Sequence, residues 1–254
     1  MIRVTDIAYV RFAAPDLAEM EVFLGEFGMD IVQKSDSVVY ARGSAARPFG
    51  HVTEKGDPAF LGLGFYAETL DDLSRLASEN NAAVEDHDAP GGGKIVRLTD
   101  PDGFRVEVVA GQTMPAKKPL ARSLVHNDAS DLPRKGDPLR VASGPSQVMR
   151  LGHAVINVTD FRVSEQWYKS RLGLVTSDEI ELAPDMPLGA FLRCDRGAIH
   201  VDHHTLFLVG TGKPGFNHAA FEVAHMDDLM VGHNHLIAKG RKHEWGVGRH
   251  ILGS

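Results

Sequence analysis

His153 and His218 stand in the second half of this 254-residue chain at places where the first half, written to the same pattern, has tyrosine and glycine. Residues 62–73 (GLGFYAETLDDL) and 218–229 (HAAFEVAHMDDL) align at an offset of 156. Phe65 answers Phe221, Asp71-Asp72-Leu73 answers Asp227-Asp228-Leu229, and Gly62 answers His218. The segments IAYVRFAAPDL (7–17) and LGHAVINVTDF (151–161) match in the same way, with Tyr9 over His153 and Asp16 over Asp160. Neutral imidazole is a common ligand for first-row divalent metals, and two imidazoles plus one carboxylate leave the other side of an ion open to substrate and oxygen. A duplicated fold with histidine at both symmetric places in one half only points to a metal site in that half. The plain alternative is two partly buried strand histidines satisfied by backbone groups. Ten of the 13 histidines follow residue 150, so the chemistry belongs there.

The third ligand supplied by the symmetry is the carboxylate matching Glu107, on the strand after the turn Asp100-Pro101-Asp102-Gly103. Carried over at the same offset it falls near position 263, past Ser254, so the second half is expected to lack its last turn and strand. His204, in HVDHHTLFLV, is read on a strand with Thr205, Phe207 and Val209, where an imidazole beside a metal-bound substrate could shuttle protons. His203 and His200 are read as its neighbours at the strand entrance. His250, in GVGRH, follows a Gly-x-Gly segment that would bring its ring close to a ligand, or else covers a surface strand with Arg249. His225, His233, His235 and His243 are read as solvated, on or beside an exposed helix. The single cysteine, Cys194, excludes an intramolecular disulfide and a cysteine-based metal site, and reads as a packing residue.

These residues need strands to carry them. Strands are predicted over 6–13, 37–41, 61–67 and 104–109 and helices over 16–27 and 70–80 in the first half. The second half restarts with a strand over 148–158 and a helix over 163–172 closed by Gly173. Strands over 190–193, 200–208 and 217–223 and a helix over 226–239 follow. The fold class is α+β: two tandem modules, each of paired βαβββ units, over residues 1–112 and 149–254. Between them a proline-rich connection, 113–148, lies on the surface. A hydrophobic content of 43% and a charged content of 24% suit two globular cores. A net charge of −7 argues against nucleic acid. No stretch approaches the roughly 18–20 apolar residues of a membrane span and no cleavable leader opens the chain, so the protein is expected to be soluble and cytoplasmic.

LGHAVINVTD with His153, HHTLFLV with His204, FNHAAFEV with His218 and GVGRH with His250 together resemble the type I extradiol ring-cleaving dioxygenases of the vicinal oxygen chelate superfamily. The likeness runs over nearly the whole chain, and the vacant first module, with Tyr9 and Gly62, agrees with it. The resemblance implies Fe(II), with Mn(II) as the alternative ion, held by His153, His218 and a glutamate from the last strand. It implies His204 as acid/base and His250 as a hydrogen-bond partner of the substrate or of bound oxygen. It also implies a catecholic small molecule and O2 as substrates and a homo-oligomeric assembly. Two rivals stand beside it. A glyoxalase-like lyase or isomerase would place Glu or Gln at the first histidine, and a metal-free binder of the bleomycin-resistance kind would be one short dimerising module.

Overall fold

The protein is described by a computed structural model over residues 1–120, 130, 132 and 142–248. The first unit runs β1 (Val4–Ala14), α1 (Leu17–Phe27), β2 (Asp30–Lys34), β3 (Val38–Arg42) and β4 (His51–Lys55). The second repeats it as β5 (Ala59–Ala67), α2 (Leu70–Glu79), β6 (Val84–Asp86), β7 (Lys94–Thr99) and β8 (Arg105–Ala110). The two form one sheet of order β2-β3-β4-β1-β5-β8-β7-β6. Its centre is the antiparallel pair β1–β5, and each of these strands takes the last strand of its own unit as a parallel neighbour. The pattern returns as β9 (Leu151–Val158), α3 (Phe161–Leu172), β10 (Leu174–Ala183), β11 (Met186–Cys194) and β12 (Leu206–Gly210), followed by β13 (Gly215–Phe221) and α4 (Met226–Ala238). Among the described residues these strands form a sheet of order β10-β11-β12-β9-β13. The architecture is α+β with doubled βαβββ units.

The repeated acidic residues are helix caps. Asp16 and its counterpart Asp160 each accept two backbone N–H groups at the start of α1 and α3. Thr69 and Asp72 form a capping box on α2, and at the matching start of α4 the His225 ring accepts from the Asp228 amide. His225 is therefore a capping residue and not the solvated side chain expected from the sequence. Gly28 and Gly173 close α1 and α3 in the left-handed conformation, which glycine adopts without a steric penalty.

Several strands carry no clear sequence signal. β2 and β10 are edge strands with mostly polar, exposed faces, so the period-two apolar alternation is missing. β4 is buried, but His51 and Thr53 fill two of its inward positions. Nor do the modules keep separate cores. One apolar cluster joins Val4, Ile7, Leu63 and Val108 of the first sheet to Ala154, Ile156 and Leu206 of the second and to Tyr168 of α3. The turn before β8 clamps this junction. Asp100 Oδ2 accepts from the Tyr168 hydroxyl at 2.9 Å, and the Asp102 carboxylate accepts from the Thr159 amide at 3.1 Å. Burial raises the Asp100 carboxyl above its ordinary value.

His51 yields a pH prediction. Its Nε2 lies 2.7 Å from Thr53 Oγ1, and complete burial lowers the imidazole to about 4. The unfolded chain takes up this proton near pH ~6.5, so between about 4 and 6.5 it binds more protons than the folded chain. Stability is expected to fall as pH drops through that window, by about 3 kcal/mol from this residue. Urea unfolding at pH 7 and pH 4.5 checks it: His51→Gln should narrow the wild-type difference between the two pH values by about 2–3 kcal/mol. An unchanged difference would mean that His51 is protonated inside the folded protein.

Candidate metal centre

The two symmetric histidines meet because β9 and β13 pair antiparallel. His153 lies opposite Ala220, and His218 opposite Val155. With side chains alternating along a strand, His153, Ala220 and His218 point to the same face, and the two histidines are diagonal neighbours. Their ring centroids are 5.5 Å apart. The first module keeps the same register, with Tyr9 opposite Gly64 and Gly64 beside Glu107 on β8.

A metal ion suits this pair. Two imidazoles bound at ~2.1 Å and roughly 90–120° to one another have centroids about 4.5–5.5 Å apart, and the observed spacing lies at the upper end of that range. The tautomer suits it too. His218 Nδ1 is 2.9 Å from Asn217 Oδ1, an acceptor only, so Nδ1 carries the proton and Nε2 has a lone pair for an ion. Asn217 is held in turn, its Nδ2 donating to Asn157 Oδ1 at 3.2 Å. Among the described residues no group of three His, Cys, Asp or Glu side chains is arranged to hold a metal. The nearby carboxylates are engaged elsewhere: Asp202 and Glu222 each hold Arg150 at 2.7 Å.

His204 lies against this pair, its ring 4.1 Å from that of His153, and is 9% exposed. It does not sit on a strand as the alternation suggested. β12 begins at Leu206, and His204 belongs to the approach to it, held beside His153 because Leu206 pairs with Ala154. Phe191 on β11 packs edge-on against the His204 ring at 4.9 Å. His153, His203 and His204 line a cavity of about 470 Å³ together with Arg150, Asp202 and Glu222. His218 faces a second, larger cleft of about 980 Å³, where Trp245 stands edge-on to its ring at 5.3 Å. His250 lies outside the described residues.

In the first module the matching position is filled. A β-carbon at Gly62, the counterpart of His218, would collide with the Arg105 carbonyl, and the Tyr9 ring lies directly over Gly64. Arg11 places its guanidinium 2.8 Å from the Glu107 carboxylate, and Tyr9 donates to the same carboxylate at 2.9 Å. Burial alone would lower the Arg11 value, but Glu107 beside it more than offsets this and holds the cation above its ordinary value. The Tyr9 phenol is pushed well up by burial and by the Glu107 charge. A fixed organic cation thus neutralises the carboxylate that matches the expected third ligand.

Other sequence readings resolve simply. Cys194 is buried against Thr205 Oγ1 at 3.5 Å, and burial pushes its thiol up to about 11, so it packs as a thiol. The contribution of Asn217 was not read from the sequence, although it adjoins His218 in FNHAAF. No helix among the described residues is long and apolar enough to cross a membrane.

The chain matches no family model. It is 26% identical over 252 residues to metapyrocatechase 2 of Cupriavidus necator, covering 99% of this chain and 75% of that protein. It is 25% identical over 254 residues to a 1,2-dihydroxynaphthalene dioxygenase of Sphingobium xenophagum, covering 92% of this chain and 76% of that protein. Among solved structures, a Mn(II)-bound glyoxalase from Novosphingobium aromaticivorans superposes with a TM-score of 0.79 at 24% identity, over 100% of this chain and 77% of that one. With its doubled βαβββ units, the chain is thus similar in fold to a glyoxalase and in sequence to a metapyrocatechase and a dihydroxynaphthalene dioxygenase, the relatives that the resemblance to extradiol ring-cleaving dioxygenases leads one to expect.

Proposed function

We propose that this protein opens catecholic rings with O2 at an Fe(II) ion held by His153 and His218, with His204 as the acid/base. Residues 149–254 carry the chemistry and residues 1–112 serve as scaffold. The observation that supports this best is the diagonal pairing of His153 and His218 on one sheet face with the His204 ring 4.1 Å from His153. Bound there, the ion would supply Lewis acidity and bring the substrate oxygens and O2 together at open coordination positions. Mn(II) is the alternative ion.

The chain's own residues do the rest. Asn217 holds the His218 ring through Nδ1, so that Nε2 would be the nitrogen offered to an ion. His204 takes the proton of a catechol hydroxyl at ring nitrogen and returns it to the ring-opened product, as a general base and then a general acid. Phe191 walls the His204 ring from β11 and stacks on Phe207 with centroids 4.0 Å apart, which limits how far that imidazole can swing. His250 is proposed as a hydrogen-bond partner for substrate or bound oxygen.

The direct test is anaerobic loading with Fe(II), then O2 uptake with catechol and with 1,2-dihydroxynaphthalene. Stoichiometric O2 consumption with formation of a ring-opened product supports the proposal. Iron binding without O2 uptake, together with hydrolysis or isomerisation of a thioester or hemithioacetal, would instead support the glyoxalase-like reading. No bound metal would support the metal-free binder. His204→Ala is expected to keep its iron while turnover falls about 10²- to 10⁴-fold. Near-normal turnover in that variant would remove His204 as the acid/base.

A further inference from the structure

Resting on the reading of His204 as the acid/base, we propose that Asp178 and His203 are positioning residues that decide which nitrogen of His204 carries its proton. His203 Nε2 lies 2.6 Å from Asp178 Oδ2, and His203 Nδ1 lies 3.2 Å from His204 Nδ1. The three side chains form a line from β10 to the cavity that His203 and His204 share with His153.

With both imidazoles neutral, the chemistry of the three groups sets the direction of the line. An ionised carboxylate only accepts hydrogen bonds, so the short contact to Asp178 requires the proton of His203 on Nε2. Neutral His203 then offers a lone pair at Nδ1. The contact between the two Nδ1 atoms is a hydrogen bond only if His204 donates from its own Nδ1. His204 is left with its lone pair on Nε2, across the ring from His203, which is the nitrogen a base would use. Reversing the first link would reverse the second and leave His204 with a proton where it needs a lone pair.

The scaffold holds the line in place. Ser177, next to Asp178 on β10, donates from Oγ to the His203 carbonyl at 2.6 Å. Arg193 on β11 donates to Ser177 Oγ at 3.0 Å. Phe191 packs against both imidazoles, at 5.4 Å from His203 and 4.9 Å from His204. The same strand that supplies Asp178 therefore also anchors the backbone of His203, so donor, acceptor and ring plane move together.

The test reads the tautomer directly. In the full chain labelled with ¹⁵N-histidine, at a pH where imidazoles are neutral, the His204 resonances are expected to show a protonated Nδ1 and an unprotonated Nε2. His203→Leu removes the acceptor, and His204 should move to the Nε2-protonated form, with kcat down on the order of tenfold to a hundredfold and KM little changed. His203→Asn offers an amide oxygen in place of the lost lone pair, and it should restore the Nδ1 proton and most of kcat. Asp178→Asn can donate as well as accept, so it should give a mixture of both tautomers. A wild-type His204 protonated on Nε2, or a tautomer unchanged in His203→Leu, overturns the proposal. Because the tautomer is read without iron or substrate, it stands or falls separately from the ring-cleavage reading. The expected tautomers in a protein that opens no catechol ring would sink only the latter.

Discussion

His153→Ala and His218→Ala are each expected to remove bound iron and ring-opening activity together. Each substitution deletes one of two imidazoles that the β9–β13 register sets as diagonal neighbours. Loss of an outer hydrogen-bond partner of a metal ligand typically weakens metal binding about 10- to 100-fold, and loss of the ligand itself should exceed that. Asn217→Ala provides the internal scale: it leaves both ligands but frees the His218 ring, so its affinity should lie between wild type and the two alanine variants. Metal content after anaerobic loading and dialysis, measured beside a thermal melt for each variant, checks the series. Both histidines are only partly buried, so the fold should survive the substitutions. Wild-type iron stoichiometry in both variants would remove the metal assignment.

Arg11→Met should act in the opposite way, with a large loss of stability and no change in iron. Arg11 and Glu107 are 8% and 3% exposed, and removing one partner leaves a buried charge with little compensation. Breaking such a pair is worth about 3–5 kcal/mol, and the lower end is expected because Arg97 stays within 3.3 Å of the carboxylate. Arg11→Met combined with Glu107→Gln should recover most of the loss, since the pair as a whole stabilises far less than breaking it costs. Tyr9→Ala should also leave iron content unchanged. Chemical denaturation with parallel iron analysis separates the two outcomes. Loss of iron in Arg11→Met or Tyr9→Ala would mean that metal and scaffold roles had been given to the wrong modules.

The doubled pattern, the two added histidines and most helix starts were legible in the sequence, although α3 begins at Phe161, two residues before the expected start. Each rests on short-range chemistry: an Asp before an apolar period caps a helix wherever it occurs, and Leu or Val at alternating places makes a buried strand. The pairing of β9 with β13 also followed, because a repeat of strand and helix at constant offset repeats the register that β1 and β5 already have. The sequence did not reveal strands whose partners, rather than their own residues, hold them in place. β10 is such a strand, polar and at a sheet edge, and Asp178 went unnoticed with it.

Tertiary structure alone decided the rest. It set His204 in the approach to β12 and not on the strand, because backbone bonding to the neighbouring strands begins at Thr205 and the ladder at Leu206. It merged the apolar faces of the two sheets into one cluster, a matter of how sheets pack and not of the content of either half. It turned His225 into a helix cap and engaged Asp202 and Glu222 with Arg150. In the first module it brought Arg11 to Glu107, which are 96 residues apart in the chain. The line of Asp178, His203 and His204 belongs to this class as well: only folding sets the three side chains at 2.6 and 3.2 Å from one another.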